Sequence, residues 1–148
     1  MQTNVHFSAQ TCVWPTPDHL FEKLNAEFRF ELDVCCLPEN AKCGKYFTPD
    51  DDGLLQNWFG TVWCNPPYGN RIVDWVEKAY RESHNGVTTV MLLPVRTDTR
   101  WFHSWVIGKA EIRFLKGRLK FGDAVNSAPF PSMIVVYNNN SSAASKTR

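Results

Sequence analysis

The chain has 148 residues, enough for one domain of ordinary size and too few for separate cofactor and substrate domains. Hydrophobic residues make up 43% of it, with 6 Trp and 10 Phe, so a core can form without disulfide staples and a wholly disordered chain is excluded. The net charge of +1 hides an asymmetry: residues 1–70 carry 4 Lys and Arg against 9 Asp and Glu, whereas residues 71–148 carry 12 against 6, a split that points to a polyanionic partner for the second half.

The longest apolar runs, Val90–Leu93 and Met133–Tyr137, fall far short of the ~20 residues a membrane helix needs, and no basic-then-apolar leader opens the chain. A soluble cytoplasmic protein without a membrane partner is expected. Cys12, Cys35, Cys36, Cys43 and Cys64 contain no CxxC pair, which suits a reducing compartment. The spacing of Cys35, Cys36 and Cys43 matches no common zinc pattern, so no metal is expected.

Residues 1–12 are polar and aperiodic, and 138–148 form a low-complexity polar tail; the folded unit is expected at 13–137. Thr16-Pro17-Asp18 reads as an N-cap followed by proline at the first helical position, and Leu20, Phe21 and Leu24 then recur at helical spacing, predicting a helix over 17–27. Phe28–Cys36 alternates and then turns continuously apolar, as a strand entering a sheet centre does. Further strands are predicted at Gly60–Cys64, Val87–Leu93, Glu111–Leu115 and Ser132–Tyr137, with helices over 71–83 and 98–107. Arg118–Phe121, ahead of Pro129 and Pro131, reads as a late hairpin or loop. Strands alternating with helices predict an α/β sheet covered on both faces.

The strand ending at Cys64 stops in Asn65-Pro66-Pro67-Tyr68. Two prolines fix φ and remove two backbone donors, so the carbonyls around Asn65 and Pro66 stand free beside an aromatic ring. An exocyclic amine on a planar base needs such contacts: an amide oxygen and a backbone carbonyl for its two hydrogens, and a ring to stack on. Later, Arg96, Arg100, Arg113, Lys116, Arg118 and Lys120 interleave with Trp101, Phe102, Phe114 and Phe121, a pattern suited to holding phosphates. The spacing of Trp101 and Phe114 fits core packing better than base contact, while Phe130, between two prolines, suits a second wall of a base pocket. His103 reads as structural.

Asn65-Pro-Pro-Tyr68 resembles the catalytic motif of S-adenosylmethionine-dependent amino-methyltransferases. With it stand Trp14-Pro15-Thr16-Pro17, Leu32-Asp33-Val34, Asn40-Ala41-Lys42-Cys43, Asp52-Gly53-Leu54, Leu93 to His103, Gly117 to Phe121 and Pro129 to Ser132. Together they resemble the phage-type (Dam-like) DNA N6-adenine methyltransferases across residues 13–137. The resemblance implies a Rossmann-like class I methyltransferase sheet in a single small domain, with S-adenosylmethionine as cofactor, DNA as partner and a phage or prophage setting. It makes Asn65 and Pro66, braced by Pro67, the acceptors for the amine and Tyr68 the stacking ring. Trp14, Thr16, Asp33 and Asp52, with Asn65, would hold the cofactor, and Arg96, Arg100, Arg118 and Phe130 would meet the DNA.

Other readings compete at some positions, with Thr16 or Asp18 as a helix cap and Asp50 to Asp52 as a solvated turn. Asp33 favours a ligand, because a carboxylate at an apolar strand end needs a partner. One departure from the family pattern is Cys35-Cys36-Leu37-Pro38, which stands where many relatives carry a Gly-rich turn. The alternatives to adenine methylation are cytosine N4 methylation, protein glutamine methylation and a silent DNA-binding module. With so few residues beyond the sheet, a short or relaxed recognition site of about four base pairs or fewer per monomer is expected.

Overall fold

The computed structural model describes residues 14–122 and 126–139. The segment expected at 1–12, Val13 and most of the polar tail lie outside the described residues. Helix α1 spans Asp18–Phe28 and buries Leu20, Phe21 and Leu24. Pro17, not Thr16, is its N-cap, with an extended backbone and no side-chain cap bond. The Thr16 side chain is engaged elsewhere.

The helix ends at Arg29, which adopts the left-handed conformation at φ 59° and sends its N–H back to the Asn25 carbonyl at 2.8 Å. The Asn25 side chain accepts from the Phe30 N–H at 2.8 Å. This stop consumes the front of the predicted Phe28–Cys36 strand, and β1 contracts to Leu32–Asp33. Phe28 and Phe30 alternate because they stack on one another at the joint, with Phe30 also stacked on Phe21.

Strand β2 (Thr61–Cys64) leads through the proline motif into helix α2 (Ile72–Ser83), and then follow β3 (Thr88–Pro94), β4 (Glu111–Phe114) and β5 (Ser132–Tyr137), all close to their predicted bounds. The helix expected over 98–107 begins at residue 100, and its Phe102–Val106 part is a π-helix closed by the Ile107 N–H on the Phe102 carbonyl at 3.0 Å. Arg118–Phe121 is loop. Two short 3-10 turns, Pro38–Asn40 and Gly53–Leu55, fill the β1–β2 connection. Gly53 is required there, since a Cβ would sit 2.2 Å from the Val34 carbonyl oxygen.

The sheet order is β1-β2-β3-β5-β4, with β1, β2 and β3 parallel and β5 antiparallel to both its neighbours. Strand alternation sorts the core. Trp63, Val90, Leu92, Ile134 and Val136 pack with α1, while Val62, Cys64, Met91, Leu93, Met133 and Val135 pack with α2 and the π-helix. Each such side chain contributes about 1.5–3 kcal/mol by leaving water. The topology decides where ligands can sit. The carboxyl ends of β1, β2, β3 and β4 share one edge, and β5 enters from it, so Asp33, Asn65, Arg96, Phe114 and Phe130 come to that end. Open α/β sheets bind ligands at this edge.

Candidate active site

A small cleft, open to solvent, lies over the ends of β1 and β2 and is lined by Pro15, Thr16, Asp33, Cys35, Cys36, Asn40, Lys42, Trp63 and Asn65. Asp33 forms its floor with only 1% exposure. Its carboxylate accepts from the Cys35 N–H at 3.2 Å and the Lys42 N–H at 2.9 Å. Loss of water pushes the carboxyl up to about 6, and the two N–H bonds pull the other way. The group is thus a dehydrated carboxylate held by two backbone N–H groups, at a place where a cation in the cleft would offset the lost water.

The expected Gly-rich turn is replaced by Cys35 and Cys36, whose small side chains line the cleft. Burial, with the Asp33 charge second, pushes these thiols up, and Cys43 up to about 11. They are neutral lining at physiological pH.

Asn65 is 5% exposed at the end of β2. Its Nδ2 donates to the Trp14 carbonyl at 2.5 Å and to the Thr16 hydroxyl at 3.0 Å. Its Oδ1 is buried and has no hydrogen-bond partner. A buried amide oxygen without a donor costs about 1–3 kcal/mol, so the site holds an acceptor with a hydrogen bond still to make. Thr16 therefore serves Asn65 and not the helix. Trp14 presses its ring edge-on against Phe121 at 5.3 Å and Phe130 at 5.2 Å, and the Gly122 N–H donates to the Pro15 carbonyl at 2.9 Å. These contacts tie residues 14–16 to the loop before β5.

Pro66 and Pro67 continue this wall to Tyr68, which is buried with its hydroxyl donating to the Leu92 carbonyl at 2.9 Å. Burial pushes the phenol up, with Arg96 acting weakly in the other direction. Phe130 meets Tyr68 edge to face at 5.6 Å. The two rings are in contact, with no gap between them.

The structure does not gather every expected residue. Asp52 is not among the residues lining the cleft; it holds a left-handed turn at φ 56°, with its carboxylate accepting from the Leu54 N–H at 3.2 Å. Arg113 is absorbed by Glu27 and Glu111 in ion pairs of 2.7 and 2.6 Å. Among the described residues Arg100, Lys116, Arg118 and Lys120 form no ion pair, and Arg100 and Arg118 are exposed. Trp101 is buried as its spacing suggested, but Phe114 is 63% exposed on β4, the edge strand of the sheet. His103 places Nε2 2.7 Å from the Thr97 carbonyl, bracing the turn. Pro15, Asn40, Lys42 and Trp63 were missed as cleft residues. Trp63 lies within the predicted Gly60–Cys64 strand, and Pro15, Asn40 and Lys42 stand in segments that carry the family resemblance without a role of their own.

An α/β sheet with a buried carboxylate ending β1 and Asn-Pro-Pro-Tyr ending β2 resembles the Rossmann-like, S-adenosylmethionine-dependent amino-methyltransferases. The chain belongs to the DNA N-6-adenine-methyltransferase (Dam) family, which it matches over residues 3–146. It is 33% identical over 136 residues to the DNA N-6-adenine-methyltransferase of Haemophilus phage HP1 (strain HP1c1), covering 84% of this chain and 78% of that one. It is also 30% identical over 111 residues to the DNA N-6-adenine-methyltransferase of Escherichia phage T1, covering 72% of this chain and 46% of that one. Family membership fixes the cofactor as S-adenosylmethionine and the reaction as methylation of adenine N6 in DNA. Among the described residues no helix is long and apolar enough to cross a membrane.

Proposed function

We propose that the cleft over β1 and β2 holds S-adenosylmethionine, and that Asn65, Pro66 and Tyr68 present a flipped adenine to it. The observation that carries the reading is the buried, unpartnered Asn65 Oδ1 beside a dehydrated Asp33 carboxylate. When bound, the cofactor supplies a methyl group on a cationic sulfur, ready for transfer to a nucleophile. Asp33 would pair with its ammonium group, regaining the counter-charge that burial denies it. Asn65 Oδ1 and the Pro66 carbonyl would each accept one hydrogen of the adenine amine, aiming the nitrogen lone pair along the line of displacement. Tyr68, anchored through its hydroxyl, would offer a fixed ring face, with Phe130 as the second wall. No covalent enzyme intermediate is required.

Arg96, Arg100, Arg118 and their unpaired neighbours would hold phosphates, and exposed Phe114 would rest on a base beside the target. The setting we infer is a phage or prophage protein acting in the cytoplasm of a bacterial host, in keeping with the phage relatives. Transfer of labelled methyl groups from S-adenosylmethionine to duplex DNA, followed by nucleoside separation, tests the reading. N6-methyladenine is expected; label in N4-methylcytosine or only in protein would refute it.

A further inference from the structure

We propose that the Trp14 backbone carbonyl sets the orientation of the Asn65 amide and so makes asparagine, rather than aspartate, the residue this site requires, with Thr16 as a positioning residue. The inference rests on the adenine-amine reading of Asn65 and deepens it. An amide can turn over and exchange its oxygen for its nitrogen, and only the state with Nδ2 on Trp14 and Thr16 leaves Oδ1 without a protein partner. The Trp14 carbonyl has no hydrogen to give. At 2.5 Å from the amide terminus it tolerates an N–H and repels an oxygen, so it selects one of the two states. The Thr16 hydroxyl, at 3.0 Å, occupies the other Nδ2 hydrogen. With both hydrogens spent, the Asn65 side chain has only an acceptor left to offer.

The same geometry bars a carboxylate. Asn65→Asp would place an ionised oxygen against the Trp14 carbonyl, two acceptors with no hydrogen between them. The variant could regain the arrangement only by taking a proton, which would bridge to the Trp14 carbonyl and leave the second oxygen facing the amine. Residues 14–16 thus act as a clamp built from outside the sheet, held by the Gly122 bond and the Phe121 and Phe130 rings.

The test compares wild type, Asn65→Asp, Thr16→Val and Thr16→Ser at saturating cofactor across pH. The other titratable groups around Asn65 or in its cleft are Asp33, Cys35, Cys36, Lys42, Cys64 and Tyr68; Lys42 is paired with Asp18, burial keeps the thiols and phenol protonated over the range used, and saturation holds Asp33 ionised. Asn65→Asp should lose roughly 100-fold in kcat at alkaline pH and regain about tenfold for each unit the pH falls, a rise absent from wild type. Thr16→Val should lower kcat more than it raises the cofactor KM, and Thr16→Ser should restore it. Independently of turnover, the two Asn65 side-chain hydrogens in nitrogen-15-labelled wild type should exchange slowly with solvent. Full activity of Asn65→Asp at alkaline pH, no recovery in a folded variant, or rapid exchange of those hydrogens would each overturn the proposal. If Asn65→Ala is also fully active, the functional reading fails; if Asn65→Ala is inactive while Asn65→Asp matches wild type, only the clamp does.

Discussion

The Tyr68 hydroxyl reaches across the sheet end to donate to the Leu92 carbonyl at 2.9 Å, so the ring of the proline motif is fastened to β3, the strand beside its own. Anchorage and stacking are separable functions of one side chain. Tyr68→Phe should keep most of the methylation rate and lose about 0.5–1.5 kcal/mol of stability, the net worth of one hydrogen bond. Tyr68→Ala should lose the ring as well, weakening hold on the extruded base by about 1–3 kcal/mol. Thermal unfolding and single-turnover assays on both variants check this; equal rates for Tyr68→Ala and Tyr68→Phe would exclude stacking.

Asp33 makes cofactor binding pH-dependent in a defined direction. Burial raises the folded carboxyl to about 6 from an ordinary 3.8. As pH falls through about 6 the free protein takes up a proton there, and the charge that would meet the ammonium is lost. Affinity for S-adenosylmethionine should drop about tenfold per unit below that point, while the ligand-free protein gains stability, a gain complete below the unfolded value. Titration calorimetry at several pH values measures the first trend and thermal melts the second. Asp33→Asn should bind weakly at all of them, and a flat wild-type profile would remove Asp33 from the site.

The basic half divides into spent and free charges. Arg113 is held by Glu27 and Glu111, whereas Arg100, Lys116, Arg118 and Lys120 have no ionic partner among the described residues. DNA affinity should fall steeply with salt. Arg96→Ala or Arg118→Ala should lower that slope by about one unit, and Arg113→Ala should leave it unchanged. A slope insensitive to Arg96 and Arg118 would mean that their charges only face solvent.

Exposed Phe114 gives a further separation. Phe114→Ala should weaken DNA binding by about 1–3 kcal/mol without changing the salt slope or cofactor affinity, because a ring contributes stacking and no counterion release. Fluorescence anisotropy at two salt concentrations reads both quantities. Unaltered DNA affinity would leave Phe114 as a bare edge residue.

Much of this was legible in the sequence for a physical reason: the four longer strands and two helices follow apolar periodicity, and Asn65-Pro-Pro-Tyr68 is contiguous. What was not legible depends on contacts distant in the chain. Thr16 carries every mark of a helix cap, and only the approach of Asn65, 49 residues away, takes its hydroxyl for another use. Phe28 and Phe30 alternate like strand residues because they stack at a joint, and the left-handed Arg29 between them has no sequence signal of its own. Phe114 sits at core spacing but on an edge strand, and sheet order is not written in local periodicity. Arg113 looks like its basic neighbours until Glu27 arrives from α1.

The central claim is that Asn65 Oδ1, left unpartnered inside the site, is the acceptor that aims the adenine amine. Single-turnover methyl transfer by Asn65→Ala, measured beside its S-adenosylmethionine affinity, tests it most directly. A positioned acceptor in a dry site is worth several kcal/mol, so transfer should slow by roughly two to three orders of magnitude while cofactor affinity changes far less. Transfer at close to the wild-type rate would contradict the account.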